Sequence, residues 1–525
     1  MQSGRESRVE SRESKSARPK PALDARASTF DWLFALVFGL FLGLAIWKFG
    51  NPVVLDQKIT PPTSLAKVWT DAWPPRWSHW ILAPLALVGG CLALAGKSRW
   101  PGSRWLWLLP LLWFGWQLLS ATRTVDAFLT STTLWQFGGC VACYFIGALV
   151  IGAPASGPAR WSSNSGLSEN MLKPEHQADS RAAPEAGAPY SRNALPVLLI
   201  GILIAFTFCL VRAAEQELYE FPQTHRMLME GERSGWTNFP PEMLLEMKRD
   251  GTLVTTNGVD VINSAILARF AKGRVMGTLV YPNALAGVIL MLLPVSLALA
   301  FNSARQLRPL VRAPLIALTF LLGGFGLFWS GSKAGWLIGV MLAGIWLFRL
   351  NWRARLKWIA LTTVLLAGLA VFAVRFQHYF AAGATSVGAR FDYWRAAVQT
   401  TRANPLFGTG PGTFQRPYKQ IKLPDAEMSR FVHNDYLEQF SDSGIVGGVC
   451  YAAWIGLALV TVGQRAWRSS GYLQFSLFLG LLGWFVQGLT EFSLYIPALA
   501  WTAFTLLGCL LRVTGNQFDK GQATG

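Results

Sequence analysis

The sequence predicts an all-α, polytopic membrane protein of about twelve transmembrane helices. Three observations carry that expectation. Apolar runs of about 17–25 residues, the length that crosses a bilayer's hydrocarbon core, recur along the chain. Hydrophobic residues make up 52% of the 525 positions and charged residues only 14%. The 24 Trp are also telling, because many sit at the ends of apolar runs (Trp32, Trp47, Trp80, Trp105, Trp135), where an interfacial aromatic belt places them.

The elements follow in order. Residues 1–29 are rich in Arg, Lys, Ser and Glu and read as a disordered tail, too polar for the leading region of a signal peptide. The first apolar run is therefore expected to be a retained helix. Spans near 31–48, 79–96, 104–121 and 133–152 form a first group over 30–152. Residues 153–193, rich in Pro, Ser, Ala and Gly, read as a flexible linker. Within 194–512, spans fall near 194–211, 277–301, 313–330, 334–349, 358–374, 444–463, 472–489 and 495–511, and 513–525 is a second tail.

Charge orients the chain. Basic residues gather in the first tail (Arg5, Arg8, Arg12, Lys15, Arg18, Lys20, Arg26), at Lys97, Arg99 and Arg104, at Arg305, Arg308 and Arg312, from Arg349 to Lys357, and at Arg465 and Arg468. With this span count all lie on one side, which the positive-inside rule makes cytoplasmic together with both termini. Two long loops, 212–276 and 375–443, are then extracytoplasmic, with some helix expected near Pro241 to Lys248 in the first. The second is net basic, with Arg375, Arg390, Arg395, Arg402, Arg416, Lys419, Lys422 and Arg430. An anionic substrate at the outer face explains that excess; so does a solvated or headgroup-facing surface.

The formal charge of +18 does not imply nucleic acid, because the basic residues sit in short loops where they orient helices. All six Cys lie within apolar runs, and Cys140 and Cys143 read as small packing residues despite their spacing.

Few side chains remain for chemistry. Of five His, His433 precedes Asn434 and Asp435, both helix-start residues, and Leu437, Phe440 and Ile445 follow at helical spacing. A short helix entering the tenth span is expected, with His433 at its outer end. A general base near neutral pH or a hydrogen-bonded loop His both fit. His433, Asp435 and Glu438 do not match the spacing of the two-His zinc helix. Gly408-Thr409-Gly410-Pro411-Gly412-Thr413-Phe414 is no Walker A sequence; it reads as a tight turn, or as one whose amides at Gly410 and Gly412 open to an anion. Lys333, in Ser330-Gly331-Ser332-Lys333-Ala334-Gly335, is a cation at a junction of two spans, functional or snorkelling. Arg390 could pair with a phosphate or with Asp392.

Together these pieces resemble the bacterial O-antigen ligase and polymerase superfamily. Its signature is His, then Asn, Ser or Gln, nine residues, Gly, two residues, and Gly, Thr or Tyr. Here it reads His433, Asn434, nine residues, Gly444, two residues, Gly447. Arg274-Val275-Met276-Gly277 leading to Tyr281-Pro282-Asn283, the Ser330 to Gly335 turn, and Arg390 through Trp394 to Pro405 and Gly408–Phe414 are similar to the family as well. The similarity covers roughly residues 270–465, with Lys333 standing where members often carry Arg, which keeps the charge and loses the bidentate fork.

The resemblance implies transfer of a glycan from a polyprenyl-diphosphate carrier to an acceptor hydroxyl at the outer face of the cytoplasmic membrane. It implies no nucleotide, metal or other cofactor. His433 would activate the acceptor, Asn434 would orient His433 or a sugar, and Arg390 with Arg274 or Lys333 would hold the diphosphate. Arg395, Gly410 and Gly412 complete the expected substrate contacts. A lipid A core sugar as acceptor makes a ligase, the next repeat unit a polymerase, and a protein an O-oligosaccharyltransferase. The contrasting class, a polysaccharide transporter or flippase, would place ionisable groups near the bilayer midplane.

Overall fold

The computed structural model describes residues 22–95, 103–152, 194–249, 251–256, 258–264, 273–303, 308–381, 385–469 and 471–522. The first 21 residues of the expected tail, the linker 153–193, and Lys97, Arg99 and Arg305 lie outside the described residues.

The chain is a helical bundle. In order the helices are α1 (Ala22–Lys48), α2 (Leu65–Thr70), α3 (Pro75–Ala95), α4 (Trp105–Ala121), α5 (Ala127–Ile146), α6 (Leu195–Glu215), α7 (Phe221–Arg233), α8 (Pro241–Arg249), α9 (Pro282–Ser303), α10 (Pro309–Ser330), α11 (Lys333–Arg349), α12 (Ala354–Ala381), α13 (Thr385–Ala403), α14 (Gln415–Ile421), α15 (Asp435–Arg468), α16 (Tyr472–Gln487) and α17 (Pro497–Gln522). Among the described residues, 9 helical segments are long and apolar enough to cross a membrane, and α4 and α16 are shorter apolar helices. Eleven of the twelve expected spans fall on these helices; the remaining one, 334–349, falls on α11, which is not among them.

Helix α17 is the centre. From Ala498 to Leu511 its residues are buried on every face, with α1, α5, α15 and α16 packed around it. Apolar attraction alone does not hold helices together in lipid, so close backbone approach at small residues matters. Gly508 lies against the Tyr144 carbonyl and Gly147 against the Thr505 carbonyl, so α17 and the end of α5 touch backbone to backbone. Gly39 and Gly201 do the same for α1 and α6: a Cβ on Gly201 would lie 2.5 Å from the Gly39 carbonyl carbon. Gly201→Leu is expected to part these helices at a cost of about 1–3 kcal/mol. Thermal unfolding in detergent checks this, and an unchanged midpoint would contradict it. At the rim, α10 and α12 keep most of their apolar surface uncovered, as lipid-facing helices do.

Two features depart from the sequence expectation, and a third fills in a segment it left open. The fifth span does not end near 211; α6 runs through a π turn, Gln216–Glu220, into α7 and stops at Arg233. The helix expected near Pro241 to Lys248 is α8. Beyond α8, in a stretch whose fold the sequence left open, an antiparallel hairpin pairs β1 (Leu253–Thr256) with β2 (Val259–Ile262), covering a small core of Leu228, Trp236 and Met247. The segment 375–443, read as a loop, takes in the end of α12 and the start of α15 and, between them, α13 and α14. Buried Tyr393, Ala396 and Ala397 of α13, Tyr418 of α14 and Phe414 just before it form a separate small core with Val432, and this core supports the residue that follows.

Candidate active site

The His–Asn–x9–Gly spacing has a direct structural meaning. Asn434 caps α15, its side-chain oxygen accepting from the backbone N–H of Tyr436 at 3.1 Å and Leu437 at 3.0 Å. Nine residues follow, Asp435 to Ser443, helical as far as Asp442, and the helix breaks at Ser443 and Gly444. Gly444 has φ +70° and ψ −173°, a conformation essentially reserved for glycine. A Cβ there would lie 2.2 Å from the Leu406 carbonyl oxygen. The groups freed by the break find partners: Ile445 N–H donates to Pro405 O at 2.8 Å, and Trp116 Nε1 donates to Ser443 O at 2.9 Å. The signature thus measures one half-helix, about 13 Å long at 1.5 Å per residue, between a cap and a hinge. Gly444→Ala is expected to destabilise the fold by about 1–3 kcal/mol. The midpoint of thermal unfolding reads this, and wild-type stability would contradict it.

The glycine-rich loop at 408–412 splints that hinge. Gly410 N–H donates to Asp442 O at 2.8 Å and Gly412 N–H donates to the Asp442 carboxylate at 2.6 Å. Tyr495 OH donates to the same carboxylate oxygen at 3.1 Å. The amides expected to open to an anion are therefore committed inside the protein, which corrects that reading of Gly410 and Gly412. Arg416, just past the loop, is tied by its Nε to Asp126 at 2.7 Å, and Asp126 also caps α5.

His433 stands immediately before the cap in a left-handed conformation, φ +54°. Such outliers in non-glycine residues concentrate at functional sites. Its ring stacks on Tyr393 with centroids 5.7 Å apart and meets the edge of Phe492 at 4.9 Å. The side chain is 27% exposed, while Nδ1 itself is buried 3.7 Å from Glu491 Oε2 and has no hydrogen-bond partner. The exposed part of the imidazole is therefore the part away from Nδ1.

Glu491 joins His433 to the arginines. Its Oε1 accepts from Arg390 Nη2 and from Asn283 Nδ2, both at 2.7 Å. Arg390 also donates to Thr490 O at 3.2 Å. Its carboxylate partner is thus Glu491, not the neighbouring Asp392 that the sequence suggested. Arg274 Nη2 donates to Asn283 Oδ1 at 2.7 Å and Arg274 Nε to Ser330 O at 2.8 Å. The Ser330–Gly331–Ser332 turn between α10 and α11, left-handed at Gly331, lets that arginine lie against it. The π turn contributes too: buried Gln216 accepts from the N–H groups of Met276 and Gly277 and holds the strip that carries Arg274. Burial holds the Arg274 pKa below its ordinary value; Glu491 opposes that shift, while Arg390 and Arg375 add to it. An anion arriving among these guanidinium groups would be stabilised by them.

Of the expected site residues, His433, Arg390 and Arg274 converge on one network. Lys333 sits nearby at the start of α11, with Nζ 3.7 Å from the Tyr379 ring centroid and 5.2 Å from that of Phe376. Arg395 is exposed on α13, one turn beyond Arg390, with no hydrogen bond or ion pair among the described residues. Asn434 spends its oxygen on the cap and so fixes the backbone that carries His433. Glu491 was not foreseen, and Asn283 was noted only within the Tyr281-Pro282-Asn283 stretch, without a role. Glu491 had a signal, being the one charged residue between Arg468 and Arg512, and a lone ionisable group in an apolar stretch is a functional candidate. Asp435 and Glu438 do not join His433 as ligands. Asp435 accepts from Leu494 N–H at 3.2 Å and Glu438 from Val432 N–H at 3.2 Å, and no set of three His, Cys, Asp or Glu among the described residues could hold a metal ion.

The whole network lies at one end of the bundle, where α9, α11, α15 and α17 begin and α10, α12 and α16 finish. The opposite ends carry Arg308, Arg312, Arg349, Arg353, Arg355, Lys357, Arg465 and Arg468. There Arg349 donates to Ser469 O, and Arg465 donates to Leu511 O at 3.2 Å.

Comparison with known proteins agrees with this geometry. Residues 318–452 match the family model described as O-antigen ligase. A Haemophilus influenzae protein described only as uncharacterized is 30% identical over a stretch that covers 22% of this chain and 35% of its own. The chain therefore spans about a third of the length of that curated relative. The family match takes in Lys333, Arg390, the 408–414 loop, His433 and the hinge at Gly444, so this part of the chain is similar to that family.

Proposed function

We propose that the protein is an O-antigen ligase-like glycosyltransferase that moves a glycan from a polyprenyl-diphosphate carrier to an acceptor hydroxyl at the outer face of the cytoplasmic membrane. One observation carries the reading. An imidazole with an exposed edge stands beside a network of arginines at the bundle end opposite the basic clusters. By the positive-inside rule those clusters face the cytoplasm, and the site faces out.

The step this arrangement suits is a displacement. The acceptor O–H gives its proton to the exposed nitrogen of His433. The acceptor oxygen forms a bond to the anomeric carbon as the bond from that carbon to the diphosphate oxygen breaks. The diphosphate leaves with the electron pair. Arg390 and Arg274, held in place by Glu491 and Asn283, stabilise the charge that develops on it. Lys333, packed on Tyr379, supplies a further cation at the rim, and exposed Arg395 is placed to meet a headgroup or sugar. Asn434 serves as the cap that fixes the His433 turn.

The donor, a lipid A core or other glycan acceptor, and the surrounding membrane lipids are the partners of this reading. Polymerisation, or transfer to a protein, would use the same chemistry with another acceptor. The buried carboxylates Asp435, Glu438 and Asp442 lie in the half-helix on the site's side of the hinge and are held by backbone amides, an arrangement suited to stabilising the hinge rather than to carrying an ion across. The envelope glycan of a deletion strain tests the function. Complementation with wild type should restore long surface glycan; a glycan profile unaffected by deletion would contradict the proposal.

A further inference from the structure

Glu491 has two oxygens with different tasks. Oε1 is saturated by the N–H groups of Arg390 and Asn283. Oε2 faces His433 Nδ1 at 3.7 Å, about 0.8 Å beyond an ordinary N–H···O hydrogen bond. Nδ1 is buried without a partner, which is a costly arrangement for a polar nitrogen. The carboxylate is only 5% exposed, so its choices are confined to these neighbours. Tyr393 and Phe492 hold the imidazole plane, so a small shift of the carboxylate decides whether Nδ1–H has an acceptor.

We infer that Glu491 is a positioning residue that couples a diphosphate on Arg390 to the proton affinity of His433. Arg390 meets Glu491 through Nη2, the kind of N–H a phosphate oxygen also takes. A diphosphate drawing that guanidinium toward itself loosens the Arg390–Glu491 pair. The carboxylate, still held by Asn283, then closes on Nδ1–H. A carboxylate on Nδ1–H fixes the tautomer in which the other nitrogen is the acceptor, and it stabilises the imidazolium formed when that nitrogen takes a proton. His433 is thereby a strong base when the leaving group is in place and a weaker one otherwise, which limits loss of donor to water. The inference rests on the glycosyl-transfer reading and adds a residue and a coupling to it.

The test is ¹⁵N-histidine NMR of the full chain in detergent micelles, titrated with pH with and without a short-chain polyprenyl diphosphate, with His433→Gln used to assign the signal. In wild type the probe should raise the His433 midpoint by about one unit and move Nδ1 toward the protonated, hydrogen-bonded state. Glu491→Gln, at probe concentrations that saturate it, should show a clearly smaller rise, since only the diphosphate's own charge then acts on the imidazole. Glu491→Asp, which keeps the charge and guards against a Gln variant that fails to fold, should show an intermediate rise. A probe-induced rise of equal size in wild type and Glu491→Gln, or no rise in a wild type that binds the probe, would overturn the coupling and leave the transfer reading standing. A wild type that does not bind the probe would overturn the transfer reading, and the coupling with it.

Discussion

His433→Ala is expected to lower glycan transfer by about 10²–10⁴-fold, the usual contribution of a positioned general base. Donor affinity should change little, because Arg390 and Arg274 are held through Glu491, Asn283 and Ser330 rather than through the imidazole. The fold should survive as well. Removing the ring uncovers faces of Tyr393 and Phe492, but the cap at Asn434 and the hinge at Gly444 do not depend on it. The loss should therefore appear in kcat, with KM for the donor nearly unchanged. Transfer by purified protein, measured beside its thermal unfolding, reads both. A folded His433→Ala protein with the wild-type rate would remove His433 from the role of base.

Arg390→Ala is expected to act on the donor instead, lowering kcat/KM by about 10²–10³-fold. Two effects combine. The diphosphate loses a charged, forked donor, and Glu491 loses one of the two N–H groups on Oε1. The second effect means that some stability is lost too, since a nearly buried carboxylate keeps its charge with one partner fewer. Arg390→Lys should recover the charge and little of the rate, because a single ammonium cannot offer a diphosphate the forked pair of N–H groups of the guanidinium. Titration with the lipid-linked donor checks this, and unchanged affinity in Arg390→Ala would take Arg390 out of the diphosphate site.

The all-helical, many-span character was legible because hydrocarbon thickness and helix rise leave a coarse mark on sequence, and 9 helical segments among the described residues are long and apolar enough to cross a membrane. What lies between spans was less so. The extension of α6 to Arg233 depends on a π turn, whose extra residue per turn has no composition of its own. The hairpin at 253–262 is four residues a side and too short to show a clear alternation. At the site, His433, Asn434 and Gly444 were visible as a spacing, and that spacing turned out to be a cap, a half-helix and a hinge. The 408–412 glycines were visible as a turn, but not what the turn grips, because Asp442 lies 30 residues further along the chain. Glu491 is the clearest omission. It follows the eleventh span and meets Arg390 across 101 residues of sequence, so only its isolation in an apolar stretch announced it.

The most direct measurement uses purified protein in proteoliposomes containing a polyprenyl-diphosphate-linked oligosaccharide and a candidate acceptor glycolipid, with no nucleotide added. The account predicts that wild type releases polyprenyl diphosphate and forms the lengthened acceptor in equal amounts, and that His433→Ala forms neither. Donor that crosses the bilayer intact, with no diphosphate released and no acceptor lengthened, would contradict the account and make the protein a carrier of glycans rather than a transferase.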